Sequence, residues 1–209
     1  MLLRFAAKNV KRIEMSTAPA AADTADRILD IAEQLVQTRG FNGFSYADIA
    51  AELRITKASL HYHFPTKAKL GESLVERYRR KFLQRLAEID NSRTGALGKL
   101  QAYADIYAGV LEGGRMCLCG MLAADFTTLP EPIRRSVLGF FEANEAWLTT
   151  ILSDGRAGNE IAFAGAPAEA ARFLVGALEG AILLARMQED IGRFRSSAAM
   201  LLGGFAAKQ

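Results

Sequence analysis

Three helix starts crowd into the twenty-two residues from Ser45 to Thr66. Ser45, Thr56 and Thr66 each precede an apolar-periodic run, and each is a residue type that caps helices. Asp48 follows Ser45 at the capping-box position. Pro65 has no N–H to give and forbids the middle run from flowing into the next. The segment therefore resolves into two short helices, Ser45–Leu53 and Lys57–Phe64, and a long one from Lys67 to about Asp90. Ile49, Leu53, Ile55, Leu60, Phe64 and Leu70 form an apolar lattice that fixes the angle between the short pair. The second short helix is left free to project its other side.

Upstream, Ile28, Ile31, Ala32, Leu35 and Val36 fall on one face of a helix expected from Thr24, as cap, to Arg39. Gly40 ends it, and Phe41 and Phe44 flank an Asn42-Gly43 turn. The long helix carries Leu70, Leu74, Tyr78, Phe82, Leu86 and Ile89 as its stripe. Further helical patterns run over about 94–112, 115–127, 131–153, 167–188 and 193–206, with breaks at Gly113-Gly114, 129–132, the Gly-rich 153–167 and Gly192. No strand-like alternation competes. The expected fold class is all-α: an N-terminal helix-turn-helix three-helix domain plus a C-terminal helical ligand-binding and dimerisation domain. The expected divisions are a disordered basic arm over 1–23, a helix-turn-helix domain over 24–70, and a regulatory domain over 71–209.

Charge is unevenly spread. Residues 1–90 hold 15 Lys/Arg against 11 Asp/Glu, and residues 91–209 hold 11 against 12. The positive excess sits where phosphates would be met, though a solvated basic face gives the same count. The two cysteines, Cys117 and Cys119, stand too close along the chain for easy disulfide geometry, which fits a reducing cytoplasm. The apolar stretch 173–185 is short and interrupted by Glu179, so no membrane span is expected.

The outward side of the second short helix carries Lys57, Ser59, His61 and Tyr62, groups of a length suited to base edges and phosphates. A helical hairpin in an ordinary bundle is the alternative. His61 and His63 lie two apart on a helix, so their rings point about 200° apart and cannot share one ion. No metal site and no cofactor is expected.

The run SYADIAAELRITKASLHYHFPTKAKL, with its S-x-x-x-I-A helix and its T-K-A-S-L-H-Y-H-F-P-T-K, resembles the tetracycline-repressor (TetR) family over roughly residues 25–75. The resemblance implies a homodimer that binds a double-stranded, palindromic DNA operator and answers a small-molecule inducer. By position it implies that Thr56, Lys57, Ala58 and Ser59 enter the major groove, joined by His61. Tyr62, His63, Ser45 and Lys67 would hold phosphates, Lys67 through its backbone amide at a helix N-terminus. Arg54 stands where the family turn usually carries glycine, and a left-handed conformation there costs about 1 kcal/mol.

The stretch 115–152 resembles, more loosely, the regulatory half of one branch of the family. Met116, Cys117, Met121, Phe126, Phe141 and Trp147 are the candidate ligand contacts, being soft, bulky apolar surface, and plain core packing is the alternative for each. Arg115 and a helix N-terminus would both lower a thiol pKa, so that Cys117, before Cys119, could sense oxidants or electrophiles; the alternative is that both are small buried apolar residues. Ala170, Gly176, Ala177 and Gly180 are expected to let helix 167–188 pack closely, with helix 193–206, against a twin. The sum is a cytoplasmic DNA-binding transcriptional regulator, a repressor released by a hydrophobic or electrophilic ligand. A thiol-dependent enzyme using Cys117 and a same-fold activator are the rivals; the enzyme lacks a motif coupling a base to that thiol.

Overall fold

The computed structural model describes residues 18–92 and 94–207, with side chains from Asp23 onward. Residues 1–17, most of the expected basic arm, lie outside the described residues. The described residues hold nine α-helices. They are α1 (Ala18–Arg39), α2 (Tyr46–Leu53), α3 (Lys57–His63), α4 (Lys67–Asp90), α5 (Ala96–Glu112), α6 (Leu118–Ala124), α7 (Glu131–Ala157), α8 (Pro167–Met187) and α9 (Ile191–Gly203). One 3-10 turn spans Phe126–Thr128, and a lone bridge pairs Ile161 with Ala206.

Helix α1 begins at Ala18, six residues before the expected cap Thr24. Ala20, Ala21 and Ala22 are strong helix formers, and Pro19 is tolerated in a first turn. At the other end of the chain, Gly192 does not break a helix; it is the second residue of α9, which Asp190 caps through the Arg193 amide. Helix α7 runs on through Ala157, into the stretch read as loop.

Helices α1 to α3 close around Ile28, Ala32, Val36, Phe41, Phe44, Ile49, Leu60 and Phe64, all buried. Leu70, Leu74, Tyr78, Phe82, Leu86 and Ile89 are buried along α4, as their spacing predicts. That stripe serves two cores in turn: the small N-terminal one, then that of α5–α9, where α4 packs on α7 and α7 on α8. Arg77 is the charged exception on α4. Only 8% exposed, its guanidinium reaches Asp30 at 2.9 Å and Glu33 at 3.1 Å, and donates to the Asp26 carbonyl. It fixes the register of α1 against α4.

The link between α2 and α3 is a left-handed turn at Arg54, φ 55° and ψ 43°, whose side chain is exposed. Its backbone N–H caps α2 on the Ala50 and Ala51 carbonyls. A β-carbon in that conformation is strained, and no contact repays it. R54G is expected to raise stability by about 0.5–1 kcal/mol, read as a shift in urea midpoint with an unchanged slope.

Candidate nucleic-acid interface and buried regulatory cluster

Helix α3 spends one side chain, Leu60, on the core. Lys57, Ala58, His61 and Tyr62 are exposed, Tyr62 at 79%, and Ser59 and His63 are half-buried. A two-turn helix cannot stand alone in water. This one is held at both ends: the Thr56 hydroxyl accepts from the Ser59 amide at 3.1 Å, and the Phe64 amide closes on Leu60. Tyr46 on α2 braces it further, donating to the Phe64 carbonyl at 2.7 Å. Burial pushes the Tyr46 hydroxyl up to about 12, so it stays a donor.

Phe44, Ser45, Tyr46, Ala47, Lys57, His61 and Lys67 line a groove of about 410 Å³ between α2 and α3. The structure thus brings the predicted Ser45, Lys57, His61 and Lys67 to one surface. Tyr46 and Ala47 join them unpredicted; Tyr46 reads in sequence as ordinary helix filler. The His61 ring lies 4.9 Å from that of Tyr46, with Nδ1 3.1 Å from the Pro65 carbonyl. Tyr62 and His63 meet edge to face at 5.2 Å. The Ser45 hydroxyl and amide both donate to Asp48, whose pKa these bonds lower.

Lys67 differs from expectation in its side chain. Its ammonium turns inward, donating to the Phe41 carbonyl at 2.6 Å and to that of Phe44. It sits over both rings, 4.7 and 4.2 Å from their centroids. Burial lowers its pKa, with Asp48 and Asp125 opposing. Only its backbone is left to meet a phosphate.

The candidate ligand residues lie at α6, in the turn after it and along α7. Met116 and Cys117 are buried at the start of α6. Met121 lies against Arg186, its sulfur 3.9 Å from the guanidinium, and Phe126 sits in the 3-10 turn. Phe141 packs edge to face on Phe140, and Trp147 donates to Asp90 at 2.8 Å at the far end of α4. A file of rings joins the two ends: Tyr78 to Phe140 at 5.7 Å, Phe140 to Phe82 at 5.0 Å, Phe82 to Tyr103 at 6.1 Å, and Tyr103 to Trp147 at 5.7 Å.

A cluster of buried polar groups sits beside that file. The Tyr78 hydroxyl reaches the Cys117 sulfur at 3.9 Å. Tyr103 bonds the buried Asn144 at 3.1 Å and lies 3.2 Å from the Tyr107 hydroxyl. Glu179 enters from α8. Its Oε1 is shut off from solvent with no hydrogen-bond partner, and its Oε2 overlies Gly120, where a β-carbon would collide with it. Burial pushes the Glu179 carboxyl up to about 7, and the neighbouring Cys117 thiol and Tyr107 hydroxyl pull it partly back. Among these residues only Cys117 was a sequence candidate. Glu179 was visible as the one charge in an apolar run, a signal used only to argue against a membrane span.

Of the two readings of Cys117 and Cys119, the structure has the buried one, and the activation of Cys117 is reversed. The residue is the N-cap of α6 and its sulfur accepts from the Gly120 amide at 3.5 Å. That helps a thiolate, but burial and then the Glu179 charge outweigh it and push the thiol well up; Cys119 moves the same way. Arg115 gives no relief, its guanidinium bonding Gln37.

A capped, outward-facing second helix on a three-helix head, joined through one long helix to further helices with a polar cluster in their core, defines a helix-turn-helix regulator with a C-terminal helical domain. The family model for bacterial regulatory proteins of the tetR family matches residues 28–74, and the tetracyclin repressor-like C-terminal domain matches residues 96–201. The chain belongs to the tetR family, and it is a DNA-binding transcriptional regulator. A TetR-family regulator from Agrobacterium tumefaciens is 32% identical, superposes with a TM-score of 0.87, and is matched over 90% of this chain and 100% of that one. A TetR regulator from Legionella pneumophila is also 32% identical, with a TM-score of 0.80 over 87% of this chain and 97% of that one. The HTH-type transcriptional repressor NemR of Escherichia coli is 27% identical over 175 residues, 80% of this chain and 86% of NemR.

Glu179 gives the fold a pH signature. Its carboxyl holds a proton up to about pH 7 when folded, against an ordinary 4.5. The unfolded chain releases that proton earlier, so stability falls as pH rises through this window and levels off above it. The span is about 3 kcal/mol. E179Q is expected to be the more stable protein at pH 8 and to remove most of the fall, read from urea midpoints at pH 5 and pH 8.

Proposed function

We propose that the protein is a homodimeric repressor that docks two α3 helices in successive major grooves of a palindromic operator and is released by a small apolar ligand bound in the α4–α8 domain. The observation that carries the DNA-reading part is the single buried residue of α3. Such a helix is presented rather than packed, and its caps and lattice hold it rigid. Lys57, Ala58 and Ser59 are its base readers, with Thr56 committed to capping and His61 at the groove edge. Tyr62, His63 and the Lys67 backbone anchor phosphates; Ser45, like Thr56, is committed to capping, with its hydroxyl and amide both given to Asp48, and reaches a phosphate only by releasing that bond. NemR and other relatives are named repressors, which supports repression.

The dimer reading is supported by α8 and α9. Phe173, Leu183, Leu184 and Met187 of α8 and Met200 of α9 are exposed, Met200 at 82%. Gly176 and Gly180 stand among them with open space where a side chain would be. An apolar face with small residues along it suits close packing against its twin. None of the described helices is long and apolar enough to cross a membrane.

An apolar ligand is favoured over a thiol-reactive one because Cys117 is 2% exposed and its thiol is held protonated. The same facts favour action by binding over thiol-dependent catalysis. In an operator-reporter strain, C117S is expected to leave derepression by enones and quinones unchanged; loss of that response would restore the electrophile reading.

Selection of binding sites from random duplex DNA is the direct test. The expected product is a palindrome with half-sites about 34–36 Å apart. On it, K57A should cost about 1–3 kcal/mol and relax preference at one position per half-site, whereas Y62A should weaken binding evenly across sequences. Enrichment of no sequence would sink the proposal.

A further inference from the structure

The head made by α1 to α3 continues covalently into the regulatory domain through α4 alone. A second, non-covalent tie joins them at the end of α1. The last carbonyls of a helix have no partner within it, and that end carries partial negative charge. Here the regulatory domain supplies the partners. Arg186 of α8 donates to the Gln37 carbonyl at 2.8 Å and, through its other terminal nitrogen, to the Thr38 carbonyl at 2.8 Å. The Met116 amide adds a bond to the Gln37 carbonyl, and Arg115 holds the buried Gln37 side chain.

The turn that follows is gripped as well. Asp125, at the end of α6, accepts from the Phe41 amide at 2.8 Å. Gly40 makes this approach possible: its φ is +78°, and a β-carbon there would stand 3.0 Å from the Asp125 carboxylate. Asn42 bonds Thr128 at 2.8 Å. Lys67 holds the Phe41 and Phe44 carbonyls as well, so the turn that leads into α2 is gripped both by the end of α6 and by the start of α4.

We propose that Asp125 and Arg186 are positioning residues that set the angle of the reading head, making the end of α1 a second lever beside α4. Each touches backbone of the head, and neither lines the groove between α2 and α3. With the latch closed, the two heads of a dimer are fixed in separation; with it open, each head swings against α6 and α8 together with the first turns of α4, to which Arg77 and Lys67 lock it. The proposal rests on the two-headed reading above.

The test is tolerance of operator spacing. Each purified protein is titrated on the selected palindrome and on versions with one base pair inserted or deleted between half-sites. One base pair moves a half-site by about 3.4 Å along the axis and rotates it about the helix, so the wild type is expected to lose roughly 10-fold or more. D125A and R186Q are expected to bind the native spacing more weakly and to narrow the penalty to about 2–3-fold. D125N keeps an acceptor for the Phe41 amide and is expected to keep the wild-type ratio. A merely structural role would lower affinity for all three operators alike, so an unchanged ratio in D125A and R186Q overturns the latch. R186Q carries the test if D125A fails to fold by circular dichroism. A wild type indifferent to spacing overturns the two-headed reading, and the latch with it.

Discussion

The Lys67 ammonium is the interaction on which the rest of the head depends. It stands on two aromatic rings and donates to the carbonyls of the residues that carry them, Phe41 and Phe44. The turn between α1 and α2 must bury those carbonyls beside the apolar core, and a buried acceptor left unmade costs about 1–3 kcal/mol. One cation satisfies both. Because Lys67 is the first residue of α4, the same contact pins the connecting helix to the turn. The Ser45 cap, the direction of α2 and the placement of α3 all follow from where that turn is held. Lys67 therefore supports the surface proposed to meet DNA from beneath it, and its charge is engaged by protein.

This explains which parts of the molecule were legible in the sequence. Ser45, Thr56 and Thr66 mark helix starts because side-chain capping is local chemistry. The stripe of α4 was legible because one apolar residue per turn admits no other fold. The start of α1 was missed for a related reason: Thr24 is a good cap, but the alanines before it gain more by continuing the helix than the cap gains by ending it. Gly192 was read as a breaker where the Asp190 cap, two residues earlier, sets the start of α9. The inward turn of Lys67 was beyond reach, since a lysine at a helix start looks the same whether its partner is a phosphate or a carbonyl twenty-six residues away.

The sensing half resisted reading for a different physical reason. Its polar cluster is assembled from α4, α5, α6, α7 and α8, one or two groups from each. Tyr78, Tyr107, Cys117, Asn144 and Glu179 share no spacing, so no motif announces them. The large apolar residues chosen from the sequence are spread along the core, from Met116 at the start of α6 to Trp147 beside the end of α4. For Cys117 the sequence displays a helix terminus and a cation, whereas the depth of its burial is not legible there. Desolvation of a thiol in a closed core is the larger effect, and only three-dimensional packing reveals it.

Helix α6 joins the two halves of this picture. Its N-cap, Cys117, meets Tyr78 and faces Glu179; its C-cap, Asp125, holds the turn of the reading head. Seven residues of helix span about 10 Å and transmit displacement with little loss. A ligand that gave the orphaned Glu179 oxygen a donor would bear on Gly120, one turn into α6, because the carboxylate already rests against that backbone. Its effect on DNA affinity is bounded by how much better it binds one placement of α6 than the other. A glycine at position 120 permits the close contact, a glycine at position 40 receives the other end, and between them a short rigid element has one side chain in each domain.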